Sequence, residues 1–130
     1  MRYSVLLLVG ASVLGGCDAR RERITGPYLI HAVDTEEQAS VSYALDGGDS
    51  VGRIPPVVFE IGWDERFIVA KAHPEKDRSI VYYYILEMAK DSKYADPSKS
   101  VIGPLSRDEF ERRKAELKLP DFRRKLKNVE

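Results

Sequence analysis

Between residues 27 and 86, short runs of strand-forming residues alternate with short groups of turn residues. β-Branched and aromatic side chains dominate the runs, whereas glycine, proline and acidic residues dominate the breaks. The run 80–86 is apolar at every position, which is typical of a strand buried on both faces of a sheet. The pattern predicts an antiparallel sheet of about five strands, over residues 27–33, 41–45, 57–61, 66–72 and 80–86.

One C-terminal helix is predicted beyond the strands. Ser106 and Glu109 form the Ser-x-x-Glu pattern of a capping box. Phe110 and Leu117 place two apolar side chains on one side of the helix, and Pro120 ends it. Residues 121–127 can add a short second helix. The fold class is therefore α+β, with the C-terminal helix packed on or beside the sheet.

The N-terminus is typical of an export signal. One basic residue, Arg2, precedes an apolar run over residues 5–14, which is too short to span a bilayer as a helix. The run ends in Leu14-Gly15-Gly16-Cys17, which resembles the lipobox of a bacterial lipoprotein precursor. The resemblance implies cleavage before Cys17 and lipid on that residue. The alternatives are plain secretion, which leaves an odd free thiol, and a cytosolic buried segment.

The segment after Cys17 bears on location. Asp18 resembles a signal for retention in the inner membrane of enterobacteria-like cells, and the alternative is a solvated tether residue. We expect the protein on the extracytoplasmic side of the cell membrane, at the periplasmic face of the inner membrane if the cell has two. The predicted layout is a cleaved signal peptide (1–16), a lipidated cysteine with a charged tether (17–25) and a single globular domain (26–130).

The charge balance argues against nucleic acid as a partner. The chain has 21 Lys and Arg against 21 Asp and Glu, so it presents no overall electrostatic footprint for a polyanion. Residues 107–127 are locally basic, with nine Lys and Arg against five Asp and Glu. That segment can attract anionic lipid headgroups, or it is a solvated helix face with internal ion pairs.

Three sequence patterns resemble catalytic or metal-binding motifs, and each lacks a required part. Residues 48–52 match the G-x-S-x-G elbow around Ser50, but a Pro-Pro pair follows where the elbow needs a helix. His73-Pro74-Glu75 matches half of a zinc deaminase signature that also needs two further cysteines. Asp46 and Asp49 can offer oxygens to calcium, but Asp-Gly is ordinary turn chemistry. We therefore expect no metal, no cofactor and no catalytic residue.

Aromatic side chains give the only candidate binding face outside the anchor. Trp63 is the sole tryptophan, and it lies in the predicted turn over residues 62–65. Tyr82 and Tyr84 share one face of the strongest predicted strand. Aromatic residues at a rim are good binding anchors, although packing in the core or hairpin is the alternative for all three.

A wider resemblance covers about half of the region after Cys17. The segments 54–64, 67–71 and 83–85, followed by Gly103-Pro104-Leu105-Ser106 with Phe110, resemble a family of small uncharacterised bacterial proteins. Many members are lipoproteins that carry a domain of unknown function. The resemblance implies a sheet with a helix and an exported setting, and it implies no activity.

These observations predict a monomeric, membrane-anchored binding or accessory module that is not an enzyme and that can have a partner protein in the envelope. Two alternatives stay open. One is a small envelope hydrolase, which needs His31 or His73 beside a carboxylate in a cleft. The other is an immunity or inhibitor protein against an envelope toxin.

Overall fold

The computed structural model describes residues 20–32 and 38–126, and its first half is a four-stranded antiparallel sheet. The strands follow chain order across the sheet, each paired with the next. Glycine at positive φ in the turns, Gly26 and Gly47, lets the chain reverse tightly. The four strands are β1 (Arg20–Thr25), β2 (Tyr28–Ala32), β3 (Ser40–Ala44) and β4 (Ser50–Ile54).

The second half is a five-stranded antiparallel sheet in the order β8-β7-β6-β5-β9. The expected single sheet of about five strands was therefore wrong in arrangement, because the Pro55-Pro56 segment separates two sheets. The strands are β5 (Val58–Trp63), β6 (Phe67–Ala72), β7 (Tyr82–Glu87), β8 (Val101–Leu105) and β9 (Arg124–Lys125).

The main core lies between the two sheets. Alternate residues of each strand point inward, so that Ile30 and Val41 of the first sheet share a cluster with Ile61 and Leu86 of the second. Strand β7 also has buried residues on its other face, as the apolar run 80–86 predicted. Ile80 and Val81 lie outside that strand and are exposed.

The outer face of the second sheet is covered by helix α2 (Arg107–Leu117) and the chain after it. The predicted capping box is confirmed: Ser106 Oγ accepts from the Glu109 amide, and the Glu109 carboxylate accepts from the Ser106 amide. Phe110 is buried against the Tyr83 ring, with ring centroids 4.8 Å apart. A shorter helix, α1 (Pro97–Ser100), precedes β8. No helix in residues 20–32 or 38–126 is both long and apolar enough to cross a membrane.

Two expected segments take a different form. The predicted tether is partly strand, because the polypeptide from Arg20 onward pairs with β2 as β1. The proposed second helix over residues 121–127 is replaced by β9, whose flanking amides of Arg123 and Leu126 donate to β5 carbonyls at 2.9 and 2.8 Å. In both cases a free strand edge supplies hydrogen-bond partners that the local sequence does not reveal.

Gly62 makes room for the C-terminal segment. It lies within β5, not in the expected turn, and a Cβ at this position would lie 2.1 Å from the Asp121 carbonyl oxygen. That contact is with backbone, so it can be relieved only by moving the segment that leads into β9. A residue without a side chain at position 62 therefore allows β9 to pair with β5.

We predict that Gly62→Ala lowers the free energy of unfolding by about 1–3 kcal/mol, because the added methyl group overpacks this contact. The matched control is Gly52→Ala, at a strand glycine with no atom within 4 Å of the added Cβ. Urea unfolding of the two variants and the wild type measures the difference. Equal stability of the two variants would contradict the prediction.

Candidate functional site

A groove of about 330 Å³ opens on the outer face of the first sheet. That face points away from the inter-sheet core, because the alternate residues of the same strands fill the core. The groove is lined by residues of β1, β2 and β3 and by the loop after β3. These residues are Arg21, Arg23, Leu29, Ala44, Leu45 and Gly48.

The groove combines two cationic side chains with an apolar floor. Arg21 and Arg23 are exposed and lie two residues apart on β1, so both project to the outer face. Leu29, the register partner of Arg23, is only 7% exposed although it lies on this outer face. The aliphatic stems of arginine can cover such an apolar residue while the guanidinium stays in water.

His31 and Ser50 stand beside the groove. They are the register partners of the lining residues Arg21 and Ala44. The Ser50 hydroxyl oxygen lies 3.4 Å from His31 Nδ1, and both residues are half-buried. Among the described residues, no carboxylate hydrogen-bonds the His31 ring, so the orienting group of a catalytic triad is missing.

The buried charged residues belong to a structural network between the sheets. The side chains of Arg53 and Asp91 are both fully buried, and Arg53 Nε donates to the two carboxylate oxygens at 3.0 and 2.8 Å. Arg53 also donates to the carbonyls of Gly52 and Ser92. The Tyr28 hydroxyl donates to Asp91 at 2.8 Å. Among the described residues, no buried side-chain nitrogen or oxygen lacks a hydrogen-bond partner, so the network is internally satisfied.

Burial and the hydrogen bond to Asp91 raise the pKa of Tyr28 above its ordinary value. Burial disfavours the phenolate, and the hydrogen bond is lost when the proton leaves. Tyr28 therefore remains neutral in the folded protein at alkaline pH, where it would ionise in the unfolded chain.

The aromatic residues predicted as a binding face do not form one exposed surface. Tyr84 is 7% exposed and belongs to the inter-sheet core, and Tyr82 packs against the same core. Trp63 is half-buried at the end of β5, where the Arg123 guanidinium lies 4.2 Å from its ring centroid. For Tyr84, the alternative interpretation, packing in the core, is therefore the correct one.

His73 is buried in a structural contact. Its ring stacks on Phe59 with centroids 4.1 Å apart, and its Nδ1 lies 2.8 Å from the Ile80 carbonyl oxygen. Asp46 of the candidate calcium pair is in an ion pair with Lys93. Within residues 20–32 and 38–126, no three His, Cys, Asp or Glu side chains are grouped as metal ligands.

Cys17 and Asp18, the predicted lipidation and sorting residues, lie outside the described residues, as does the predicted signal peptide. The groove was not predicted from the sequence. The one local signal that could have indicated a strand here is the spacing of Arg21 and Arg23, which alternate with Glu22 and Ile24.

Comparison with protein families matches residues 25–130 to a family described as "Protein of unknown function (DUF3997)". The match spans most of the chain, and the protein belongs to this family. No curated protein and no solved structure matches the chain. The expected domain of unknown function is thus confirmed.

We predict that Tyr28→Phe costs about 1.5–3 kcal/mol of unfolding free energy at neutral pH, because a hydrogen bond to a buried carboxylate is lost. It should also flatten the alkaline pH dependence. Above about pH 10 the unfolded wild-type chain releases the Tyr28 proton and the folded chain keeps it, so wild-type stability falls as pH rises.

Urea unfolding between pH 8 and 11 tests both effects. Tyr94→Phe is the control, since Tyr94 is 86% exposed and should leave the wild-type pH profile intact. Identical profiles for Tyr28→Phe and the wild type would show that the Tyr28 proton is not linked to folding.

Proposed function

We propose that this protein is a lipid-anchored extracytoplasmic module that binds a ligand at the membrane surface and does not catalyse a reaction. The sequence Leu14-Gly15-Gly16-Cys17 after an apolar run supports the anchor. The observation that carries the proposal is the start of β1 at Arg20, only three residues after Cys17.

The short connection fixes where the domain would lie. Three residues span at most about 11 Å when fully extended. A lipid on Cys17 would therefore hold the first sheet against the headgroup layer, because the connection is too short to let the domain move far from the membrane. Two or three acyl chains would make this attachment stable, whereas one chain anchors only marginally.

The geometry favours binding over catalysis. In the described part of the chain, the buried polar side chains form hydrogen bonds within the protein. Those of Arg53, Asp91 and His73 are examples. The groove, in contrast, offers exposed guanidinium groups above an apolar floor. Small-molecule sites combine an apolar lining with a few placed polar groups in this way.

We infer from Asp18 that, in a cell with two membranes, the protein stays at the periplasmic face of the inner membrane. The resemblance of Asp18 to the retention signal supports this location. The position of the residue directly after Cys17 places it where such a signal is read.

Metabolic labelling with an alkyne fatty acid tests the anchor in cells that express the full chain. The wild type should incorporate the label, and Cys17→Ala should lose it completely because the only thiol in the sequence is removed. Equal labelling of the two proteins would refute lipidation. Asp18→Ala is the matched variant: it should keep the label and, in a two-membrane host, move to the outer membrane fraction.

One observation favours a second candidate function, a small envelope hydrolase. Ser50 Oγ and His31 Nδ1 are 3.4 Å apart beside the groove, which is a nucleophile-and-base arrangement. A fluorophosphonate probe, which reacts with activated serines, separates the candidates. Labelling that disappears in both Ser50→Ala and His31→Ala would establish a hydrolase, and an unlabelled wild type would remove this candidate.

A further inference from the structure

The groove on the outer face of the first sheet presents two guanidinium groups with donors to spare. An arginine has five N–H donors. Arg23 uses Nη1 on the carbonyl of Gly26. Arg21 lines the groove and is exposed, and its guanidinium makes no hydrogen bond or ion pair within residues 20–32 and 38–126. No described acidic side chain forms an ion pair with Arg21 or Arg23, so the two charges are not neutralised by the described part of the chain.

The spacing of the two arginines suits one tetrahedral anion. Residues two apart on a strand are about 7 Å apart and project to the same side. The planar fork of a guanidinium matches phosphate oxygens in a bidentate manner, and it gives up less hydration than an ammonium group. Two forks on one side of a strand can therefore hold a single phosphate between them.

The remainder of the groove fits a small polar group attached to the phosphate. The volume of about 330 Å³ is at the lower end of small-molecule sites. Leu29, Ala44 and Leu45 supply an apolar floor for a short carbon chain. The His31 ring and the Ser50 hydroxyl, beside the groove, can hydrogen-bond the hydroxyls of a glycerol.

The source of that phosphate follows from the position of β1 and rests on the proposed anchoring. Arg21 is four residues after Cys17, within about 14 Å of it along an extended chain. The headgroup region of one leaflet is about 5–7 Å thick. A chain held by lipid on Cys17 therefore keeps Arg21 and Arg23 within reach of phosphates in the same leaflet.

We propose that this groove is a binding site for the headgroup of an anionic glycerophospholipid, with the phosphate held by Arg21 and Arg23. The site would bind one lipid of the membrane that carries the anchor. It would thereby fix the orientation of the domain, with the outer face of the first sheet toward the bilayer and helix α2 turned away.

Calorimetric titration of the purified full chain with dihexanoyl lipids, below their micelle concentrations, tests the site. We expect saturable binding of dihexanoyl phosphatidylglycerol, and binding weaker by about tenfold or more for dihexanoyl phosphatidylcholine and inorganic phosphate. Arg21→Gln with Arg23→Gln should weaken phosphatidylglycerol binding by about tenfold or more, because charge-assisted hydrogen bonds are lost.

The matched control is Arg112→Gln with Arg113→Gln, which removes the same charge from the exposed surface of α2. It should retain wild-type affinity. Arg21→Lys with Arg23→Lys keeps both positive charges but removes the planar guanidinium groups. An intermediate affinity of this variant for phosphatidylglycerol would support bidentate recognition, even if the glutamine variant folds poorly.

Three results would overturn the proposal. Wild-type affinity in the Arg21 and Arg23 glutamine variant would show that the groove is not the site. An equal loss in the α2 control would show diffuse surface attraction. Phosphatidylcholine or inorganic phosphate binding as tightly as phosphatidylglycerol would remove the anionic lipid as the ligand. The titration requires no acylation of Cys17, so its failure is distinguishable from failure of the fatty-acid labelling.

Discussion

The buried pair of Arg53 and Asp91 is the contact on which the relation of the two sheets depends. Arg53 belongs to β4 of the first sheet, and Asp91 follows β7 of the second. Removing two charges from water is favourable only when geometry and further hydrogen bonds compensate for the lost hydration. Tyr28 and the carbonyls of Gly52 and Ser92 supply those bonds. The network therefore favours one docking of the sheets, in which the groove faces outward.

Local chemistry was readable from the sequence, and pairing across long distances was not. The capping box of Ser106 and Glu109 depends on neighbouring residues and was predicted. The strand predicted over residues 80–86 also depends on its local pattern, and it is observed as β7 at Tyr82–Glu87. The division into two sheets and the formation of β9 depend on partners far along the chain. The ion pair of Arg53 with Asp91 is also a contact between distant residues. The local sequence, an arginine between a glycine and an isoleucine, does not indicate that Arg53 is buried or which residue pairs with it.

The candidate site shows why residue type alone was a poor guide. The predicted binding face was chosen because Trp63, Tyr82 and Tyr84 are large aromatic residues. Large aromatic side chains also pack well in a hydrophobic core, and Tyr84 is buried there. Arg21 and Arg23 were read as part of a charged tether. Pairing of β1 with β2 converts their period-two spacing into a common face. The groove is therefore a product of strand pairing, and no short motif encodes it.

The pairing of β9 with β5 constrains the order in which the second sheet can fold. It hydrogen-bonds β5 across more than 60 residues of intervening sequence, so the edge of β5 stays open until the region around residue 125 docks. Contacts of such long sequence separation form slowly. During that interval the nascent chain carries an unpaired strand edge that can capture another copy. The β5 edge is therefore the part of the second sheet that stays exposed longest while the chain folds.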